Sequence, residues 1–321
     1  EWAQPFSRGG YDGKVGEYSI SVVGPGPRAL SHWKAARERG LPTVAKVQFN
    51  NTWEMSAVPW LPVMDLIAEH ASNLAEQKVE NFMLSWSLGG YPSPNLEIAQ
   101  AFARDPSAKA SDVLDQLAEK RYGKPAAGDI RRAWTAFSEA FREFPYSGGT
   151  LYLAPQQYGP SNLLYRTDTG YASAMVGMPY DDLKRWKGGY TPDAFAGQFE
   201  KLAAGWKKGL EIWDGAATKI APEFAERAKD DRGLAGAVYL HFASVANQCR
   251  FVLAREALAD GQWALTPEIR KILDSEIEIA KSLHQLQSAD SRIGFEASNQ
   301  YYYLPRDLVE KVVQCRLMGE E

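Results

Sequence analysis

The chain has 321 residues, 45% of them hydrophobic, with 36 Lys and Arg set against 40 Asp and Glu for a net charge of −4. That length holds one large domain or two, with apolar material enough for a packed core. The mildly acidic balance argues against nucleic acid or an anionic membrane as a general partner.

In chain order, Glu1-Trp2 reads as the end of a strand that begins upstream, running into a loop over residues 5–13. Residues 18–23 (Tyr-Ser-Ile-Ser-Val-Val) read as a strand ending in the turn Gly24-Pro25-Gly26-Pro27. A helix over residues 29–39 follows, with Gly40 placed to stop it. Residues 43–49 form the next strand. A helix over 64–77, with Leu66, Ile67 and Leu74 near helical spacing, leads to a third strand over 81–86. Strands alternating with helices imply parallel pairing through right-handed crossovers.

Beyond residue 97 helical patterns dominate, over 112–122, 130–144, 194–213, 222–228, 233–259, 267–287 and 305–317. A Gly-, Pro- and Tyr-rich segment of low regularity near 145–192 interrupts them. A structureless stretch of that length is usually functional or extended over another surface. The expected fold is therefore α/β plus α. Residues 1–100 read as the carboxyl-terminal part of a (β/α)8 barrel whose earlier strands lie upstream, and residues 101–321 as an α-helical domain. A small self-contained open sheet is the alternative for the front, but it would leave both sheet edges exposed.

Cys249 and Cys315 lie in apolar helical contexts and are expected as buried free thiols. His32, His70, His241 and His284 are scattered, so no metal site and no cofactor is expected. No leader-like or membrane-spanning run is visible. Because the chain opens without an initiator Met, this leaves the compartment open.

Two strand ends carry the chemistry. Side chains alternate along a strand, so Lys46, Gln48 and Asn50 share the face opposite Ala45, Val47 and Phe49. The apolar set faces helices, which turns the polar set inward and extends it to Thr52 and Glu54. Ligands of parallel α/β folds bind at the carboxyl ends of strands. A carboxylate, amides and a tryptophan there suit a sugar. Glycoside hydrolysis needs two carboxyl groups, and Glu54 and Glu1 are the candidates. Against this, Glu54 also reads as a loop or helix-terminal charge, and Glu1 as an exposed terminal residue.

Asn50, Asn51 and Trp53 are placed to orient hydroxyls. Trp86 is in phase with Phe82 and Leu84, which buries it under helices unless a bulge turns it into the site. Gly89-Gly90 lets Tyr91 reach the cleft. Arg28, after the Gly-Pro turn, suits an acidic sugar group or faces solvent. Arg292, Glu296 and Asn299 align at helical spacing, either completing the cleft or forming a domain interface.

Four blocks, 50–54 (Asn-Asn-Thr-Trp-Glu), 85–93 (Ser-Trp-Ser-Leu-Gly-Gly-Tyr-Pro-Ser), 154–160 (Ala-Pro-Gln-Gln-Tyr-Gly-Pro) and 292–299 (Arg-Ile-Gly-Phe-Glu-Ala-Ser-Asn), resemble blocks of large bacterial glycoside-hydrolase-like proteins. In those, a (β/α)8 barrel precedes an α-helical domain, a layout similar to α-glucuronidases and hexosaminidase-like barrels. The resemblance implies a glycosidase using carboxylate acid/base chemistry without a metal on an oligosaccharide or glycoside. A noncatalytic carbohydrate-binding or interaction module is the rival, needing stacking aromatics and no carboxyl pair.

Overall fold

The computed structural model describes residues 1–84, 90–174, 176–258, 262–296 and 300–320. Residues 5–13, expected as a loop, form a hairpin in which β1 (Pro5–Arg8) pairs antiparallel with β2 (Tyr11–Lys14). The connection is Gly9-Gly10 at φ +54° and +76°. Two successive left-handed residues match the twist of paired strands, and glycine reaches them without steric cost.

Residues 18–23, expected as a strand, are irregular. The Ile20 and Ser21 N–H groups point at the Glu54 carboxylate instead of a neighbouring strand. The Ser19 hydroxyl accepts from Val22 N at 3.0 Å and curls the segment on itself.

The next elements follow the sequence pattern. Helix α1 (Pro27–Arg37) starts on proline, and Gly40 follows it at φ +67° while Leu41 N bonds back to Ala36 O at 3.0 Å. Strand β3 (Val44–Val47), helix α2 (Met64–Glu76) and strand β4 (Asn81–Leu84) make a β–α–β unit with parallel strands, Val44 opposite Asn81 and Val47 opposite Leu84. Ala45 and Val47 are buried, and Phe82 and Leu84 pack against the same core. The other face is open: Val44 is 53% and Met83 56% exposed. Among the described residues the strands form three separate two-stranded sheets, so the sheets show the β–α–β unit and not a barrel wall.

Most of the chain is helical. Helix α3 (Pro94–Arg104) is capped by Ser93. Helices α4 (Ala110–Tyr122) and α5 (Lys124–Phe141) follow. The irregular segment contains α6 (Gly148–Leu153), short 3-10 turns at Pro155–Gln157 and Gly159–Ser161, and α7 (Leu183–Trp186). Buried Arg255 pins it by bonding Asp181 at 2.8 Å and Tyr165 O at 3.1 Å.

Helix α8 (Pro192–Ala216) closes on α5 through Gly209, where a Cβ would come within 2.4 Å of the Phe137 ring. Phe137 stacks on Trp206 at 4.8 Å. Residues 222–228 and 233–259, expected as two helices, give one 32-residue helix, α9 (Ala225–Glu256), preceded by a 3-10 turn at Pro222–Phe224. Packing of α8 and α10 on α9 overrides the weak helix preference of Gly233.

Helix α10 (Pro267–Ala289) leads to a small hairpin, β5 (Phe295–Glu296) with β6 (Gln300–Tyr301), and then α11 (Pro305–Gly319). The helical alignment expected for Arg292 and Glu296 is thus replaced by a hairpin. Gly294 permits it: at φ +82° its Cα lies where a Cβ would strike Tyr303 O at 2.5 Å, and its N–H bonds Ala57 O at 2.7 Å. Asn299 lies outside the described residues.

The interior of α9–α11 carries an ion pair with both side chains fully buried, Lys311 Nζ to Glu276 Oε2 at 3.0 Å. Ser244 and Asn247 donate to the same carboxylate at 2.8 and 2.9 Å, and Lys311 also donates to Asn162 O. Removing one partner strands the other charge in a medium that solvates it poorly. Lys311→Met should therefore cost about 3–5 kcal/mol, and the double change Lys311→Met with Glu276→Leu should recover most of it. Urea denaturation of both variants checks this, and equal stability of the two would contradict it.

Candidate active site

Glu54 lies fully buried beyond the end of β3. The Ser19 hydroxyl donates to Oε1 at 2.7 Å, the Ser21 hydroxyl to Oε1 at 2.5 Å, Ile20 N to Oε2 at 2.6 Å and the Thr52 hydroxyl to Oε2 at 2.8 Å. Hydrogen bonds to an ionised acceptor are the stronger kind, and this set holds the 18–23 segment against the β3 loop. Arg8 extends the network: Nη1 donates to Ser21 Oγ at 2.8 Å and to Phe144 O at 2.7 Å, and Nη2 donates to Ser21 O. The β1–β2 hairpin, the 18–23 turn, the β3 loop and the end of α5 therefore meet around one carboxylate.

Glu1 sits beside this cradle. It lines a cavity of about 240 Å³ together with Trp2, Tyr18, Arg28, Trp33, Lys46 and His70. The Arg28 guanidinium lies 5.1 Å from the Trp2 ring centre, and the Lys46 ammonium 5.3 Å from that of Tyr18. Burial pushes the Glu1 carboxyl up to about 7; the charges of Glu54 and Glu17 add to the rise and the Glu1 amino group opposes it. His70 Nδ1 is 3.6 Å from Glu1 Oε1, and burial drives the imidazole down to about 3, so it stays neutral. Among the described residues neither Glu1 Oε1 nor His70 Nε2 has a hydrogen-bond partner.

The other sequence candidates separate. Asn50 is buried, donates to Tyr91 O at 2.6 Å and accepts from Ser93 Oγ, which shapes the chain leading into α3. Asn51 is buried and donates to Val58 O at 2.8 Å. Half-buried Trp53 tilts against Tyr152 at 6.4 Å, and Tyr152 donates to Glu17 at 3.0 Å. Exposed Tyr91 stacks on Trp60 at 5.8 Å, with the Arg292 guanidinium within 5.6 Å of both rings. Trp60 lines a wider cavity of about 450 Å³ with Ser93, Glu97, Gln100 and Arg121. Glu296 is buried in the β5–β6 hairpin. Trp86 lies outside the described residues, as does Asn299.

Of the candidates, then, the fold brings Glu1 and Arg28 into one cavity with Glu54 buried behind them, and ties Asn50 to Tyr91 in the chain leading into α3. Sequence reasoning did not single out Trp2, Tyr18, Trp33 or His70 as cavity residues. His70 carried a signal, because it shares the buried face of α2 with Met64, Ile67, Ala71 and Leu74 and is the one titratable group there. Among the described residues no cluster of His, Cys, Asp or Glu could hold a metal ion. No helix is long and apolar enough to cross a membrane among those residues.

No protein-family model and no curated protein matches the chain. Among solved structures the chain is similar in fold to a GH138 enzyme targeting pectin rhamnogalacturonan II, with a TM-score of 0.50 and 11% identity. The match covers 94% of this chain and 40% of that one, so the chain spans well under half of its neighbour's length.

Truncating Glu54 leaves the Ser19, Ile20, Ser21 and Thr52 donors without their acceptor. Glu54→Ala should lower the unfolding free energy by about 3 kcal/mol, the scale for deleting a buried charged acceptor. Equilibrium urea unfolding measures this, and a loss below about 0.5 kcal/mol, the range of ordinary surface changes, would contradict the cradle's role.

Proposed function

We propose that the chain is a portion of a glycoside hydrolase in which Glu1 presents a proton to a sugar held in the Trp2–Arg28 cavity. The observation that carries this is the Glu1 carboxyl, buried in a cavity wall and raised to about 7. A general acid works best when its pKa lies near the working pH, so that it is protonated and still able to release the proton. Protonation of the glycosidic oxygen is the step such a group performs. The rings of Trp2, Tyr18 and Trp33 offer faces for sugar C–H groups, and Arg28 and Lys46 offer donors for its oxygens.

In this proposal Glu54 acts through Glu1. It is closed off from the cavity, and its charge helps keep the Glu1 proton in place. Trp53 and Tyr91, which keep exposed edges, are outer contacts, while Asn50 and Asn51 shape the loop that carries them. The chemistry needs no metal or cofactor. The fold likeness to an enzyme acting on pectin supports a carbohydrate substrate. The open β3–β4 face, with Val44 and Met83 exposed, supports the further proposal that additional strands of a longer barrel cover it.

One observation favours a second reading. Glu1 is the only carboxyl lining the cavity among the described residues, whereas hydrolysis by either stereochemical course needs two. A noncatalytic carbohydrate-binding module requires only the rings and donors.

The two readings separate on one experiment. Turnover of a glycoside panel and calorimetric binding of pectic oligosaccharides are measured for the wild type and Glu1→Gln. A hydrolase loses about 100-fold or more in turnover on losing its acid, with binding retained. Binding without turnover in both proteins selects the module. Turnover unchanged by Glu1→Gln would overturn the assignment of Glu1.

A further inference from the structure

Helix α11 packs through Leu308, Lys311, Cys315 and Met318. Its opposite face carries Val309, Val313 and Leu317 at i, i+4 and i+8, exposed at 51%, 52% and 59%. Three large aliphatic side chains in one stripe leave more apolar surface open than scattered exposed residues do. Four exposed charged residues flank the stripe: Arg306, Glu310, Arg316 and Glu320. Among the described residues none of these four is held in an ion pair.

The order of these residues is antisymmetric about Val313. Reading outward, Glu310 lies three before it and Arg316 three after it, and Arg306 lies seven before and Glu320 seven after. Val309 and Leu317 lie four to either side. A copy of the helix laid antiparallel across this face, with the two-fold axis at Val313, therefore sets every charge toward its opposite. Arg306 meets Glu320 and Glu310 meets Arg316, while Val313 meets Val313. A parallel copy would set like charges together. Long side chains reach across the seam when the helices cross obliquely, as in ridges-into-grooves packing.

We infer that the outer face of α11 is a self-association surface whose partner is a second copy of this chain, packed antiparallel. An isologous interface requires a patch that is complementary to itself, and the charge order meets that condition. One helix pair buries an area at the low end of specific interfaces, so the dimer is weak, half-formed on the order of 100 µM.

Sedimentation velocity of the chain over about 10 to 500 µM tests this, a range set around that expected affinity. The wild type should move from a one-chain toward a two-chain mass. Glu310→Arg sets two positive pairs against each other and should hold the chain at one-chain mass throughout. The double variant Glu310→Arg/Arg316→Glu restores opposite charges in swapped order and should recover the dimer. Both positions are exposed, and circular dichroism confirms that each variant folds. A wild type that stays at one-chain mass, a dimer indifferent to Glu310→Arg, or a double variant that fails to recover would each overturn the inference.

Discussion

The front of this protein depends on the enclosure of one carboxylate. Glu54 stands where β3 has ended, and hydroxyl and backbone donors of residues 19–21 close over it together with Thr52. An ionised carboxylate taken out of water needs such a set, because each unmet lone pair carries a desolvation cost. The donors come from a segment with no sheet to join. The interaction thus decides two things together: where the acid ends up, and why residues 18–23 are a turn. Through Ser21 it also fixes Arg8, and with it the hairpin and the end of α5.

The same enclosure bears on the Glu1 carboxyl next to it. Glu1 is buried in a cavity wall near the charge of Glu54, with a neutral imidazole 3.6 Å away and only its own amino group opposing the rise. Desolvation and like charge both favour the protonated acid. A carboxyl whose folded value is raised to about 7 holds a proton that the unfolded chain releases near its ordinary value of 4.5. Its contribution to stability is therefore complete below about 4.5 and is lost as the pH rises through 7. An acid kept protonated near neutrality at a cost in stability fits a working site better than a packing role.

Much of the fold was legible in the sequence because its signals are local. The alternation of Ala45, Val47 and Phe49 and the helical spacing of Leu66, Ile67 and Leu74 mark the β–α–β unit, and Gly40 marks a helix end. What could not be read was set by distant partners. Ser19-Ile20-Ser21-Val22 alternates like a strand, yet its donors answer to a carboxylate about thirty-five residues away. Gly233 reads as the start of a separate helix, yet the chain runs through it as part of α9, with Leu286 of α10 packed near it. Arg292 and Glu296 share a helical spacing, yet Gly294 turns the chain between them. In the candidate site, Glu1 and Arg28 read as strand-end residues in the sequence, yet among the described residues neither follows a strand, and Arg28 lies in the first turn of α1. Trp33 and His70 enter only because α1 and α2 flank β3, a relation no short window contains.

In the proposed function Glu1 is a proton-holding acid made so by its burial beside Glu54. The most direct measurement is the titration of the Glu1 side-chain carboxyl by carbon-13 NMR on selectively labelled protein. A midpoint at about 7 is expected. A midpoint in the ordinary range of exposed carboxylates, about 4 to 5, would contradict it.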